Sequence, residues 1–137
     1  MSEGASRTVL ICDDDAQVRG LASHLFTQDG WRVVAEVENA IAAVGLTQAL
    51  QPDVVVLDVG LVGLSGLDVI PELVAAGSTV VVCSSFGSTS DAAKRAGASA
   101  IVDKAELPSL LDVVNALPRR RRESEMKDQT EVERTPA

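Results

Sequence analysis

The chain has 137 residues, which is enough for one domain with a buried core and leaves little room for a second. Its formal net charge is −8, and residues 1–118 hold 15 of the 20 acidic residues but only 6 of the 12 basic ones. This acidic body argues against nucleic-acid binding by the folded part, because phosphate backbones bind positive surfaces. The aromatic residues are only Phe26, Trp31 and Phe86, too few for a surface that stacks bases or sugars.

No part of the sequence predicts export or membrane insertion. The N-terminus lacks the pattern of a signal peptide, and no apolar run approaches the ~18 residues of a membrane span. The two cysteines, Cys12 and Cys83, each end a predicted buried strand. If those strands are not neighbours, at least ~9–10 Å separates them, which is beyond disulfide reach. We therefore expect reduced core thiols in a cytoplasmic protein with no membrane partner.

Five apolar runs alternate with five helical patterns, which predicts a parallel α/β sheet covered by helices on both faces. The first strand, 8–12, is followed by a helix over 16–29. One face of that helix is apolar and is formed by Val18, Leu21, Ala22, Leu25 and Phe26. The only histidine, His24, lies on the opposite face and is expected to be exposed.

The rest of the chain repeats this alternation. The predicted elements are, in order, a strand over 32–37, a helix from the cap Asn39 to about Leu50, a strand over 54–58, a helix over 67–76, a strand over 79–83, a helix from Ser88 to Gly97, a strand over 100–103, and a helix with Pro108 in its first turn. Residues 7–118 form the predicted domain. The polar segments 1–6 and 119–137 are predicted to be disordered tails.

Acidic residues stand at the ends of two predicted strands. The first strand runs into Asp13, Asp14 and Asp15, and the third stops at Asp58. Because the carboxyl ends of parallel strands meet at one edge of a sheet, these carboxylates are expected within a few ångströms of each other. Such clustering is unfavourable without a cation, so the sequence predicts a hard divalent metal, Mg²⁺, and chemistry on phosphate. Taken singly, the first run can also be a helix cap and Asp58 a turn residue.

Chemically capable residues follow four of the predicted strands in a specific order. They are an acid pair, an acid with a glycine eight residues on, a hydroxyl and a lysine: Asp13, Asp14, Asp58, Gly66, Ser84 and Lys104. The segment Ala96-Gly97-Ala98-Ser99 leads into the last of these strands. In this order the chain resembles a response-regulator receiver domain over residues 7–118. The resemblance implies a doubly wound, five-stranded parallel sheet of flavodoxin-like order 2-1-3-4-5.

The resemblance also implies a role for each position. Asp58 is the phosphoacceptor, and the donor is a sensor histidine kinase or a phosphotransfer protein. Mg²⁺ is bound by Asp14, Asp58 and the backbone carbonyl of Gly60, and Asp13 acts through water. Lys104 supplies a cation and Ser84 a hydroxyl to the phosphoryl oxygens, and movement of Ser84 switches binding to an unnamed downstream protein. No enzyme activity is implied beyond self-phosphorylation from a phosphodonor and self-dephosphorylation.

Three positions depart from the family pattern. Val62 replaces the usual proline four residues after the phosphoacceptor, Ala105 replaces the proline after the lysine, and Ile101 replaces the aromatic residue of the fifth strand. These changes put the aromatic half of the switch in question but not the phosphoacceptor chemistry. Gly60 and Phe86 flank the expected pocket, and Phe86 is either a lid that excludes water or a residue that packs under the fourth helix.

Other functions fit parts of the sequence. A binding module of the same fold without phosphorylation would explain the lost proline and aromatic residues, although the intact acids and Lys104 argue against it. A phosphatase of the haloacid-dehalogenase type would use the acids 13–15 as its Asp-x-Asp, but Gln17 stands where that family has Thr or Val.

No helix-turn-helix or catalytic pattern follows residue 118, so a stand-alone receiver is expected. Arg119–Arg122 is interpreted as a solvated run rather than a nucleic-acid or lipid site.

Overall fold

The computed structural model of the protein describes residues 7–60, 65–85 and 90–118. Within them, strands and helices alternate as the sequence predicts. The strands are β1 (Thr8–Cys12), β2 (Arg32–Val37), β3 (Val54–Leu57), β4 (Thr79–Ser84) and β5 (Ala100–Asp103). The helices are α1 (Ala16–Gln28), α2 (Ala40–Leu50), α3 (Gly66–Ala75), α4 (Ser90–Ala96) and α5 (Leu110–Ala116), and a 3-10 helix over Lys104–Ser109 precedes α5.

The five strands form one parallel sheet in the order β2-β1-β3-β4-β5, which confirms the predicted doubly wound topology. Val54 of β3 pairs with Val9 of β1 on one side and with Thr79 of β4 on the other. Every residue of β3 and β4 is buried, as expected for central parallel strands rich in valine. This register brings the ends of β1, β3 and β4 to the same edge of the sheet.

Helices cover both faces of the sheet, as the sequence predicts. One core lies under α2, α3 and α4 and includes Leu10, Leu57, Ile70 and Leu73. The other lies under α1 and α5 and includes Ile11, Phe26, Leu110 and Val114. Because residues of β1 alternate between the two cores, the strand is held from both sides. The acids that follow β1 therefore extend from a rigid support.

The predicted apolar face of α1 is wrong at one position. Ala22 and Phe26 are buried there, but Leu21 is 47% exposed. The helix buries a stripe centred on Ala22 and Phe26, and Leu21 is rotated about 100° from Ala22 around the axis. His24 is exposed, as predicted.

The ends of several helices follow the predicted signals. Asp15 caps α1, since its Oδ1 accepts the backbone N–H of Gln17 at 2.9 Å. Asn39 caps α2 in the same way and accepts the N–H of Ala42 at 2.8 Å. The predicted position of Pro108 is wrong, because this residue lies in the 3-10 helix before α5 and not in the first turn of α5. Glu106, inside the segment Lys104–Ser109, departs from helical geometry with φ −117° and ψ 33°, so this segment is kinked.

Both cysteines are free and buried, and β3 lies between their strands, which confirms the expectation of unpaired core thiols. Among the described helices, none is long and apolar enough to cross a membrane. Several predictions fall outside the described residues: the disordered tails 1–6 and 119–137, Val62, Phe86, and the start of the fourth helix at Ser88.

Candidate functional site

Asp13 and Asp58 lie directly after β1 and β3, at the carboxyl edge of the sheet. The N–H of Asp13 donates to the carbonyl of Val37 in β2 at 3.0 Å, and the N–H of Asp58 donates to the carbonyl of Cys12 at 2.9 Å. These bonds continue the parallel ladder past the last strand residues and fix both backbones. Asp13 is 3% exposed and Asp58 is 5% exposed. The strands thus hold two acidic side chains close together with little access to solvent.

Lys104 bridges these two carboxylates. It begins the 3-10 helix after β5, and its Nζ lies 2.9 Å from Oδ2 of Asp13 and 3.1 Å from Oδ2 of Asp58. The ammonium supplies positive charge between two buried carboxylates that would otherwise repel each other. The sequence predicts Lys104 as a partner of a phosphoryl oxygen. The structure adds that the same ammonium is an ion-pair partner of the acids themselves.

The second oxygen of each carboxylate accepts a backbone amide. Oδ1 of Asp58 accepts the N–H of Gly60 at 2.9 Å, and Oδ1 of Asp13 accepts the N–H of Asp15 at 2.8 Å. Each side chain therefore has one oxygen on an amide of the loop that follows it and the other on Lys104. These two contacts fix the rotation of each carboxylate about its side-chain bonds.

Burial and charge oppose each other in the titration of these groups. Burial raises the pKa of the Asp13 carboxyl, although the amide of Asp15 and the ammonium of Lys104 both act to lower it. Burial lowers the pKa of Lys104, but its hydrogen bonds to Asp13 and Asp58 outweigh burial and the pKa is raised. Burial, followed by the charge of Asp13, raises the pKa of the Cys12 thiol to about 12. The carboxyl edge of the sheet is thus a strongly negative environment in which Lys104 pairs with Asp13 and Asp58.

The third acid, Asp14, completes a candidate magnesium site. Asp14 is exposed, and Asp13, Asp14 and Asp58 each offer a carboxylate oxygen within 4.8 Å of the others. Oxygens are the ligands that Mg²⁺ takes, at about 2.1 Å, so two opposite ligands lie about 4.2 Å apart. The cluster fits this ion with a small contraction or with water as an additional ligand. The predicted fourth ligand, the carbonyl of Gly60, belongs to the loop residue whose N–H already holds Asp58.

Gly66 has a steric reason to be a glycine. It is the first residue of α3, and a Cβ at this position would lie 2.6 Å from the carbonyl oxygen of Asp58 and 2.8 Å from Cα of Val59. Both distances are shorter than real Cβ contacts, and the neighbours are backbone atoms that cannot rotate away. The spacing of eight residues between Asp58 and Gly66 therefore reflects the close approach of α3 to the end of β3.

Ser84 is the last residue of β4 and is buried, which places the predicted hydroxyl at the same edge of the sheet. It lines a cleft of about 480 Å³ together with residues of α4 and β5, among them Lys94 and Asp103. Ile101, which stands in place of the aromatic residue, is half-buried in the same cleft. The role of Ser84 toward a phosphoryl group stays a prediction.

Comparison with known proteins assigns this arrangement to a family. Residues 9–115 match the response regulator receiver domain. The chain belongs to this family. Its relatives include chemotaxis protein CheY of Thermotoga maritima, which is 33% identical over 115 residues that cover 81% of this chain and 94% of the relative. CheY of Bacillus subtilis is 29% identical over 112 residues, which cover 78% of this chain and 93% of the relative.

A solved structure supports the same fold for this receiver domain. The response regulator domain of Thermotoga maritima CheB superposes with a TM-score of 0.74 at 24% identity, over 83% of this chain and 100% of that chain. Receiver domains are a different family from the haloacid dehalogenases, so the phosphatase alternative is set aside. The Asp-x-Asp of residues 13–15 is explained here by two site acids followed by the α1 cap.

One residue of the receiver site is not predicted by the sequence. Arg19, at the end of the first turn of α1, donates from Nη1 to the backbone carbonyl of Asp13 at 2.7 Å. An isolated basic residue six positions after an acid is a weak pattern, because most arginines on amphipathic helices are solvated. The contact arises only once α1 folds back beside the end of β1.

Proposed function

We propose that this receiver domain accepts a phosphoryl group on Asp58 in the presence of Mg²⁺, from a histidine kinase or a phosphotransfer protein. The observation that carries the proposal is the environment of Asp58: a nearly buried carboxylate within 4.8 Å of oxygens from two other acids and 3.1 Å from the Lys104 ammonium. Structural turn residues do not require such a costly concentration of charge. Phosphoryl transfer does require charged groups here, because its transition state is stabilised mainly by positioned positive charge, and the acids would hold the cation that supplies it.

The reaction follows from the atoms of Asp58 and Lys104. An oxygen of the Asp58 carboxylate attacks the phosphorus of a phosphohistidine, an O–P bond forms, and the N–P bond breaks with its electron pair returning to the imidazole. The Gly60 amide and the Lys104 ammonium orient the carboxylate before attack. Lys104 is then available to a phosphoryl oxygen. Asp14, Asp58 and the Gly60 carbonyl would hold Mg²⁺, with Asp13 acting through water, and the ion would supply positive charge against the charge that develops on the phosphoryl oxygens.

The proposed output is a change in affinity for a downstream protein, transmitted through Ser84 at the end of β4. The acidic body of residues 1–118 supports a protein rather than a nucleic acid as the target of the folded domain. The cytoplasmic location expected from the sequence is part of the same proposal. The second candidate, a module that binds without phosphorylation, is favoured only by the departures from the family pattern at Val62, Ile101 and Ala105.

Incubation with acetyl phosphate and Mg²⁺, followed by intact-mass measurement, tests the proposal. The parent protein should gain one phosphoryl group, and Asp58→Asn should gain none because the amide is not a nucleophile. Asp112→Asn, at an exposed position of α5, is the matched control and should label like the parent.

Each outcome has a defined meaning. A parent protein that gains no mass under these conditions contradicts the proposal and favours the binding module. Undiminished labelling of Asp58→Asn would show that another residue is the acceptor. Omission of Mg²⁺ should slow labelling of the parent strongly, since the carboxylate and the phosphoryl oxygens then repel each other.

A further inference from the structure

We infer that Arg19 is a positioning residue for the magnesium site, through its hydrogen bond to the backbone carbonyl of Asp13. This inference rests on the proposed function. The Nη1–O distance is 2.7 Å, and the donor is a charged guanidinium, which makes the bond stronger than a neutral one. Arg19 is half-buried, so this bond exists in a partly water-excluded setting.

The bond acts on the backbone that carries Asp14. The carbonyl of Asp13 and the N–H of Asp14 belong to one planar peptide unit, so a fixed carbonyl also fixes the position of the Asp14 Cα, from which its side chain extends. Two other bonds already restrain Asp13. Its backbone N–H donates to the carbonyl of Val37 at 3.0 Å, and its carboxylate accepts the N–H of Asp15 at 2.8 Å. Arg19 therefore supplies the restraint on the carbonyl side.

Asp14 depends on this restraint more than the other acids do. Asp13 and Asp58 are nearly buried, and the Lys104 ammonium lies within 3.1 Å of an oxygen of each. Asp14 is exposed, so packing does not hold its side chain. Its carboxylate can reach a shared cation with little loss of entropy only if the peptide before it is already in place.

The charge of Arg19 would have the opposite effect on its own. A positive charge near a cation site repels the cation, so removal of a purely electrostatic Arg19 should strengthen magnesium binding. Removal of a positioning Arg19 should weaken it, by about tenfold if this bond resembles other outer contacts of metal ligands. The two roles therefore predict changes of opposite sign.

Calorimetric titration of Mg²⁺ into Arg19→Met tests the inference. Methionine keeps an unbranched apolar stem but neither charge nor donor. Arg32→Met, at an exposed position where β2 begins at the opposite edge of the sheet, makes the same change in net charge and should bind Mg²⁺ like the parent. Circular dichroism and melting without metal check that each variant is folded, independently of any phosphorylation assay.

A roughly tenfold weaker affinity in Arg19→Met, with Arg32→Met unchanged, supports the inference. Equal or tighter binding in a folded Arg19→Met overturns it while the proposed function stands. Arg19→Lys keeps a cationic donor and should recover part of the lost affinity. A folded lysine variant as weak as the methionine variant would also overturn the inference. Absence of magnesium binding by the parent would contradict the proposed function, and this inference with it.

Discussion

At the residue scale, the site is organised around one shared ammonium. The Nζ of Lys104 lies within 3.1 Å of an oxygen of both Asp13 and Asp58, whose side chains are 4% and 6% exposed. Two buried carboxylates therefore share one half-buried ammonium, and loss of Lys104 would leave both of them without a cation in a medium of low dielectric constant. We therefore expect Lys104 to stabilise the folded state as well as to serve the proposed reaction.

Lys104→Met should destabilise the metal-free protein by about 3 kcal/mol, the usual scale for removing one partner of a buried ion pair. Methionine keeps the unbranched apolar stem and lacks only the terminal ammonium, so the loss reports mainly charge rather than packing. Mg²⁺ replaces part of the missing positive charge, so it should stabilise this variant more than the parent. Urea unfolding with and without Mg²⁺ measures both effects.

Lys94→Met, at an exposed position of α4, is the control and should leave unfolding almost unchanged. Equal stability of Lys104→Met and the parent without Mg²⁺ would mean that the ion pairs contribute nothing to the folded state.

At the scale of secondary-structure elements, α3 approaches β3 so closely that only glycine fits at the contact. Gly66→Ala would bring a methyl group within 2.6 Å of the Asp58 carbonyl oxygen, so α3 or the end of β3 has to move. We expect a loss of about 1–3 kcal/mol of unfolding free energy and slower phosphorylation, since the displaced backbone carries Asp58.

The matched control is Gly45→Ala in α2. A Cβ at Gly45 has no neighbouring heavy atom within 4 Å, so the substitution adds only helix propensity and should stabilise by up to about 1 kcal/mol. Chemical denaturation of both variants compares the same substitution with opposite expected signs. If Gly66→Ala were as stable as the parent, the close approach of α3 would not constrain the site.

At the scale of the whole molecule, an acidic chain of net charge −8 concentrates three of its carboxylates at one point. A cation that binds only the folded state stabilises it by RT ln(1 + [L]/Kd), about 1.4 kcal/mol at ten times Kd. For a domain of this size we expect the melting temperature to rise by a few degrees in Mg²⁺. Calorimetric melting in Mg²⁺ and in NaCl of equal ionic strength separates specific binding from screening.

Asp14→Asn is the variant to compare with the parent in that melting experiment. It removes one of the mutually repelling charges, so it should melt at a higher temperature than the parent without metal and gain less from Mg²⁺. A parent melting temperature that stays constant up to tens of millimolar Mg²⁺ would count against the proposed site.

Much of this architecture is readable from the sequence because it depends on local chemistry. A strand made of consecutive valines has apolar side chains on both faces, so both faces have to be covered, which indicates a central parallel strand. Asp15 and Asn39 accept N–H groups at the first turns of α1 and α2, and this capping depends only on neighbouring residues. The order of acids, hydroxyl and lysine at the strand ends indicates the family. This order can be recognised because each of these residues follows an apolar run that is visible in the sequence.

Only the tertiary structure decided which of these groups touch. The sequence does not reveal that Leu21 faces solvent, because a small rotation of α1 on the sheet determines the buried stripe. Nor does it reveal that Lys104 joins Asp13 to Asp58, or that Arg19 reaches the Asp13 carbonyl. These contacts depend on how far β5 and α1 lie from the ends of β1 and β3, and that distance is set by the packing of the two cores. Residue identity determined what chemistry was available, and packing determined where its charges meet.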